Sequence, residues 1–164
     1  MANPNNPFGA QVLNSDGKQE RIRQYNKTTG TAIYPGDSVK LIDAGTVSVA
    51  ASGERLIGVA AEYRASADTV IGVYDDPDTE YYIQVSADFA LADVGQHTNI
   101  VANAGDATLK QSNHTLNSAT FGTEAAKQFK ILGLLLKGEN AVGSYAMVRA
   151  KINNHEFVAG PTGV

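Results

Sequence analysis

The side chains able to do acid–base or metal chemistry are few in this chain. Three histidines, His97, His114 and His155, stand well apart, and two of them lie in polar, loop-like sequence. His155-Glu156 begins like a zinc-protease helix, but the second ligand would fall at position 159, which is Ala159. Asp75, Asp76, Asp78 and Glu80 could offer carboxylate oxygens to calcium, yet they lack the spacing and the glycine of an EF-hand loop. Asp-Asp-Pro-Asp is good turn chemistry in its own right, so a solvated turn is expected there. Gly143-Ser144-Tyr145 is not a G-x-S-x-G elbow, and a P-loop ending at Lys18 would need glycine where Val12 stands. With no cysteine there is neither a disulfide framework nor a thiolate site. The expectation is a protein that is not an enzyme and holds no cofactor or metal. A small β-barrel hydrolase with groups converging from distant parts of the chain is the least favoured alternative.

Binding chemistry is better represented. Seven tyrosines and five phenylalanines, with no tryptophan, include Tyr74, Tyr81 and Tyr82 on strand-like sequence. Alternating aromatics fill the two faces of a strand, one in the core and one at a subunit contact. Exposed rings could also stack on sugars, which keeps a module binding host-surface glycans as the principal alternative.

Composition narrows the partners. The net charge is −4, and no run of Lys and Arg could neutralise phosphates, so direct nucleic-acid binding is not expected. No apolar run approaches a membrane span, and the start of the chain does not read as a signal peptide. Synthesis in a cytoplasm is the expectation, with the sequons at Asn26 and Asn113 accidental.

Charged residues make up 18% of the chain and glycines number 16, which suits short strands joined by tight turns. Period-two alternation predicts strands over 38–43, 46–51, 56–63, 69–74, 80–86, 97–102, 129–137 and 145–152, with turns at Pro35-Gly36-Asp37, Ala44-Gly45, Ser52-Gly53 and Asp75-Asp76-Pro77. In the strand over 80–86, Tyr81, Ile83 and Val85 face one way and Tyr82 and Gln84 the other. The run 131–136, the most apolar in the chain, predicts a central strand buried on both faces, with Leu132, Leu134 and Leu136 on one of them. Residues 103–127 read as a long polar loop with at most a short helix near 123–128. Three parts follow: an extended arm and lead-in over 1–24, a β domain over 25–157 and a tail over 158–164. Phe8 is the one bulky apolar group of the arm, between Pro4, Pro7 and three asparagines, so residues 2–10 are expected to be disordered until a partner surface orders them.

Three ordered pieces carry a resemblance to a known family. They are Ala2-Asn3-Pro4-Asn5-Asn6-Pro7-Phe8-Gly9; the middle, with Tyr34-Pro35-Gly36-Asp37-Ser38-Val39, Ile57-Gly58-Val59, Tyr74-Asp75-Asp76-Pro77 and Tyr82-Ile83-Gln84-Val85; and Ile131-Leu132-Gly133-Leu134 with Lys151-Ile152-Asn153-Asn154-His155-Glu156. In these the chain resembles the head decoration, or capsid cement, proteins of tailed bacteriophages. The resemblance implies an all-β protein with a compact β-barrel or β-tulip core and an extended N-terminal arm. It implies a place on the outer surface of the virion, bound to the major capsid protein and stabilising the shell. It further implies association with copies of itself, a homotrimer ahead of a dimer. Capsid or subunit contact is expected from Asn3, Pro4, Asn5, Asn6, Pro7 and Phe8, and from Asn153, Asn154, His155 and Glu156.

Overall fold

Strand-forming side chains in period two build nearly the whole molecule, which a computed structural model describes over residues 3–13, 20–42 and 44–158. The strands are β1 (Gln11–Val12), β2 (Ile22–Asn26), β3 (Ser38–Ile42), β4 (Thr46–Val49), β5 (Gly58–Ala60), β6 (Val70–Tyr74), β7 (Glu80–Gln84), β8 (His97–Thr98), β9 (Ile100–Val101), β10 (Thr115–Leu116), β11 (Phe129–Leu134) and β12 (Met147–Ile152). They form a sheet in the order β1-β7-β12-β11-β8, a second in the order β2-β6-β5-β3-β4, and a small β9-β10 pair. Every pairing within the sheets is antiparallel.

In the first sheet alternation decides what is buried. Val148, Ala150 and Ile152 of β12 point into a core with Tyr81 and Ile83 of β7 and Phe129 and Ile131 of β11, while Met147, Arg149 and Lys151 point away. The second sheet wraps Ile33, Val39, Val47, Ile57, Ile71 and Val73 into a core of its own. Strand β5 serves both cores, with Val59 in the first and Ala60 in the second. The edges of the second sheet meet at one parallel bridge, Lys27 to Val47, where the Thr28 N–H donates to the Val47 carbonyl at 3.0 Å. The all-β class therefore stands, built as packed sheets that do not close into a barrel, one of them curled until its rims touch at the Lys27–Val47 bridge.

Three local expectations also change. The strand predicted over 129–137 ends at Leu134, and a bulge between Ile131 and Gly133 breaks the alternation, so Ile131 is in the core while Leu136 is 92% exposed. A bulge adds a residue on one strand only, which period-two counting from sequence cannot anticipate. No helix forms at 123–128; that stretch is turns, and the nearest helical piece is a 3-10 turn at Ser118–Thr120. Strands β1 and β2 lie in sequence read as arm and lead-in, β2 running through the expected boundary at 24/25.

Candidate binding interface

The N-terminal arm lies along the outer face of the first sheet, the face that β7 and β12 turn away from the core. Asn3 anchors its start: the side-chain amide donates to the carbonyls of Ala141 at 2.8 Å and Ser144 at 3.0 Å and accepts from the Ala141 N–H at 3.0 Å. Gln84, outward-facing on β7, holds the next stretch by donating to the Pro4 carbonyl at 2.8 Å and accepting from the Asn6 N–H at 3.2 Å. The Phe8 ring rests on Tyr82 with centroids 5.6 Å apart. Gly9, at φ +74°, passes so close to Ser112 that an added Cβ would sit 2.4 Å from the Ser112 Cβ, so only glycine fits. The Ala10 N–H then donates to the Gly36 carbonyl, and β1 pairs with β7, Gln11 opposite Tyr82.

The arm expected to be disordered is thus folded onto its own domain over residues 3–13; Ala2 lies outside the described residues. The physical reason is that the arm's polar groups find partners on the domain, the Asn3 side chain at Ala141 and Ser144 and the backbone of Pro4 and Asn6 at Gln84. Asn3 is buried and replaces the missing backbone partners of the 138–146 loop, and the prolines lower the entropy lost on ordering.

What the arm leaves open is a shallow groove. Phe8, Pro35, Tyr82 and Met147, all half-buried, line its middle, and Gln111 and Lys137 stand at the rim. Beside it, the loop that Asn3 fastens carries Leu136, 92% exposed, and Val142, 47% exposed. Apolar groups exposed together inside a polar rim have the composition of a protein–protein contact surface. Pro4, Asn5 and Asn6 are exposed along the same arm. Of the groove residues, Tyr82 was legible in advance from its outward register on β7. Met147, Pro35, Gln111 and Lys137 were not, because the groove joins five segments remote in sequence.

The second group of predicted contact residues lies elsewhere and faces inward. Asn153 donates to the carbonyls of Ala125 and Lys127 at 2.7 and 2.9 Å, and Asn154 to that of Ala126 at 3.1 Å. His155 is 1% exposed, bridges Leu56 in parallel, and accepts the Phe157 N–H on Nδ1 at 3.0 Å. Glu156 pairs with Arg55 at 3.4 Å. These residues clasp the end of the described chain to two loops, with their polar atoms directed at the protein itself. Burial pushes the His155 ring down to about 4 against the pull of Asp75 and Asp76, so it is neutral at ordinary pH. The tail beyond Val158 lies outside the described residues.

Two clusters invite a chemical reading. Asp75, expected in a solvated turn, is fully buried and gathers Arg21 at 3.0 Å, Arg23 at 3.2 Å and the Tyr25 hydroxyl, which donates at 2.6 Å. Burial, with Asp75 beside it, pushes the Tyr25 hydroxyl up to about 12. This is a structural ion cluster joining β2 to the end of β6; Asp78 and Glu80 instead pair with Lys151 and Arg149 on the sheet surface. Among the described residues, no group of His, Cys, Asp and Glu is placed to hold a metal ion.

Ser112, His114 and Asp37 have the residue types of a catalytic triad and meet in the fold, but not in its order. The Ser112 hydroxyl oxygen accepts the His114 backbone N–H at 3.1 Å, whereas the His114 ring takes the Ser38 N–H on Nδ1 at 3.2 Å and faces Asp37 with Nε2 at 3.6 Å. In a triad the histidine stands between serine and carboxylate so as to take the serine proton. Here the serine is fully buried and has no histidine to deprotonate it.

No known protein-family model matches the chain, and a search of curated proteins returns no match.

Proposed function

We propose that this chain is a structural virion protein that decorates the outer surface of a phage capsid, binding the major capsid protein and stabilising the shell without catalysis. The observation that carries the proposal is the arm laid on the open face of the first sheet, which leaves Phe8, Tyr82 and Met147 half-open in one groove, with Leu136 exposed next to Lys137 of its rim. That surface is built in advance, so binding does not have to supply the entropy of ordering the arm. The resemblance in sequence supplies the partner and the association of copies, a trimer ahead of a dimer. A ligand that binds assembled shells and not separated subunits stabilises the shell by mass action, and many weak copies suffice.

Co-sedimentation tests it. Tailed-phage capsids stripped of decoration should retain the chain, separated capsid subunits should not, and Phe8→Ala should weaken retention on shells. Equal binding to subunits and shells, or binding to host-surface glycans and not to capsids, overturns the proposal.

A further inference from the structure

His114 holds a strap over the arm. Residues 102–114 form a loop closed by the Asp106–Gln111 bridge and by Asn113, whose side chain donates to the Ala104 carbonyl at 2.9 Å. Near its start Gly105 lies flat on the Tyr34 ring, where an added Cβ would come within 2.2 Å of Tyr34 Cδ2. Near its end Gln111 donates to the Pro7 carbonyl at 3.3 Å, the Ser112 N–H donates to the Pro35 carbonyl at 3.2 Å, and Ser112 packs against Gly9. The strap thus grips both the arm and the Tyr34–Asp37 turn.

The pin is the imidazole of His114, 1% exposed, whose Nδ1 accepts the buried Ser38 N–H at the start of β3. That bond requires a ring with a free lone pair on Nδ1, so the single proton of the neutral ring sits on Nε2, toward Asp37. A second proton occupies the Nδ1 lone pair, turns it against the Ser38 N–H, and leaves that N–H buried without an acceptor. Asp37, on the turn before β3, is the charged group that faces the ring; from the strap itself the neutral Ser112 hydroxyl lies alongside. Attraction to Asp37 favours the charged ring, but burial opposes it and prevails, holding His114 below the ordinary histidine value and Asp37 above the ordinary carboxylate value.

We propose that protonation of His114 is an acid switch that releases the 102–114 strap and, with it, the N-terminal arm from the face of the first sheet. A histidine that binds its proton less well folded than unfolded stabilises the closed form above its unfolded pKa, about 6.5, and loses that contribution as pH falls below it. Each further pH unit below that point raises the open population of the strap about tenfold, until the closed form itself takes up the proton. The consequence for attachment rests on the interface proposed above: acid would dismantle the surface that Phe8 and Tyr82 build. The switch itself is a property of the isolated chain.

The test is hydrogen exchange of the isolated protein at about pH 7.5 and about pH 5, the span in which histidines change charge, after correction for intrinsic exchange. The Ala10 amide, bonded to Gly36, should lose protection at the lower pH while the β7 and β12 amides keep theirs. His114→Gln should abolish that difference and His155→Gln should preserve it. Should His114→Gln not fold, the wild-type ring is titrated by NMR, and His114 and the Phe8 ring protons must shift with one midpoint. Unchanged Ala10 protection, a pH response that survives His114→Gln, or separate midpoints overturns the switch. Co-sedimentation with capsids at both pH values separates the two ideas: a working switch with no capsid binding at either pH sinks the decoration proposal alone.

Discussion

The described chain is fastened near its first and its last residues, and the two fastenings differ in what they leave over. The C-terminal clasp, Asn153 to Glu156, directs its amides, imidazole and carboxylate at the protein's own loops. At the N-terminal arm, Asn3 and Gln84 satisfy the backbone in the same way, yet Phe8, Tyr82 and Met147 stay half-open to solvent. Polar groups facing inward hold a fold together, whereas apolar groups facing outward at a place already rigid hold a partner. The sequence presents both segments as asparagine-rich and similar, and only the direction of the contacts separates them.

That contrast can be broken by measurement. The largest effect belongs to Gln128, a fully buried residue under the C-terminal clasp. Its amide donates to the Ala51 and Glu54 carbonyls at 2.8 Å and accepts the Ile100 N–H at 3.0 Å, while its own carbonyl accepts the Asn153 N–H. Gln128→Ala keeps the backbone bond to Asn153 but orphans the Ala51 and Glu54 carbonyls and the Ile100 N–H, and should cost about 3 kcal/mol in denaturant unfolding, at the upper end for buried polar losses.

Acid should act next, through His155. Its proton affinity is lower folded than unfolded, so its contribution is intact above about pH 6.5 and fades as pH falls toward 4. Stability should drop by roughly 2 kcal/mol over that window, and His155→Gln should flatten the slope. An unaltered slope in the variant would move the acid sensitivity elsewhere.

Asn3→Ala should cost only about 1 kcal/mol, since the groups it frees at Ala141 and Ser144 lie close to solvent. If it cost as much as Gln128→Ala, the arm would be as structural as the clasp and the contrast would fail. Phe8→Ala should be the mildest for the fold, below about 1 kcal/mol by thermal unfolding, because the ring is only half-buried. Its effect should appear in capsid retention instead. A large fall in stability with unchanged retention would reverse the reading of the groove.

Much of the sheet was legible because alternation is local. Val148, Ala150 and Ile152 inward, and Tyr82 and Gln84 outward, follow from counting by twos. What could not be read depends on partners distant in sequence. Asn3 is ordered by Ala141, 138 positions away, and Asp75 is buried because Arg21, Arg23 and Tyr25 neutralise and bond it from another strand. His114 sits in sequence polar enough to be called a solvated loop, and its burial comes from Ser38 and Asp37. For the candidate site, the sequence points to the arm residues, but their folded conformation on the first sheet depends on Gln84 and Ala141, too distant in sequence to be read. The closing Asn-Asn-His-Glu, expected at a capsid or subunit contact, bonds to the protein's own loops, a role its sequence does not announce.

The meeting of the second sheet's rims at Lys27 has one more consequence. Strand rims carry unpaired amides and carbonyls that can recruit another chain and begin aggregation. Here the Lys27 ammonium is folded inward onto the carbonyls of Thr28 at 3.0 Å and Asp68 at 3.4 Å, and the exposed start of β2 is flanked and interrupted by Arg21 and Arg23. Charge guards the part of the rim that curling does not reach. Copies crowded shoulder to shoulder at high local concentration would therefore find no open strand template at the described rims of the second sheet.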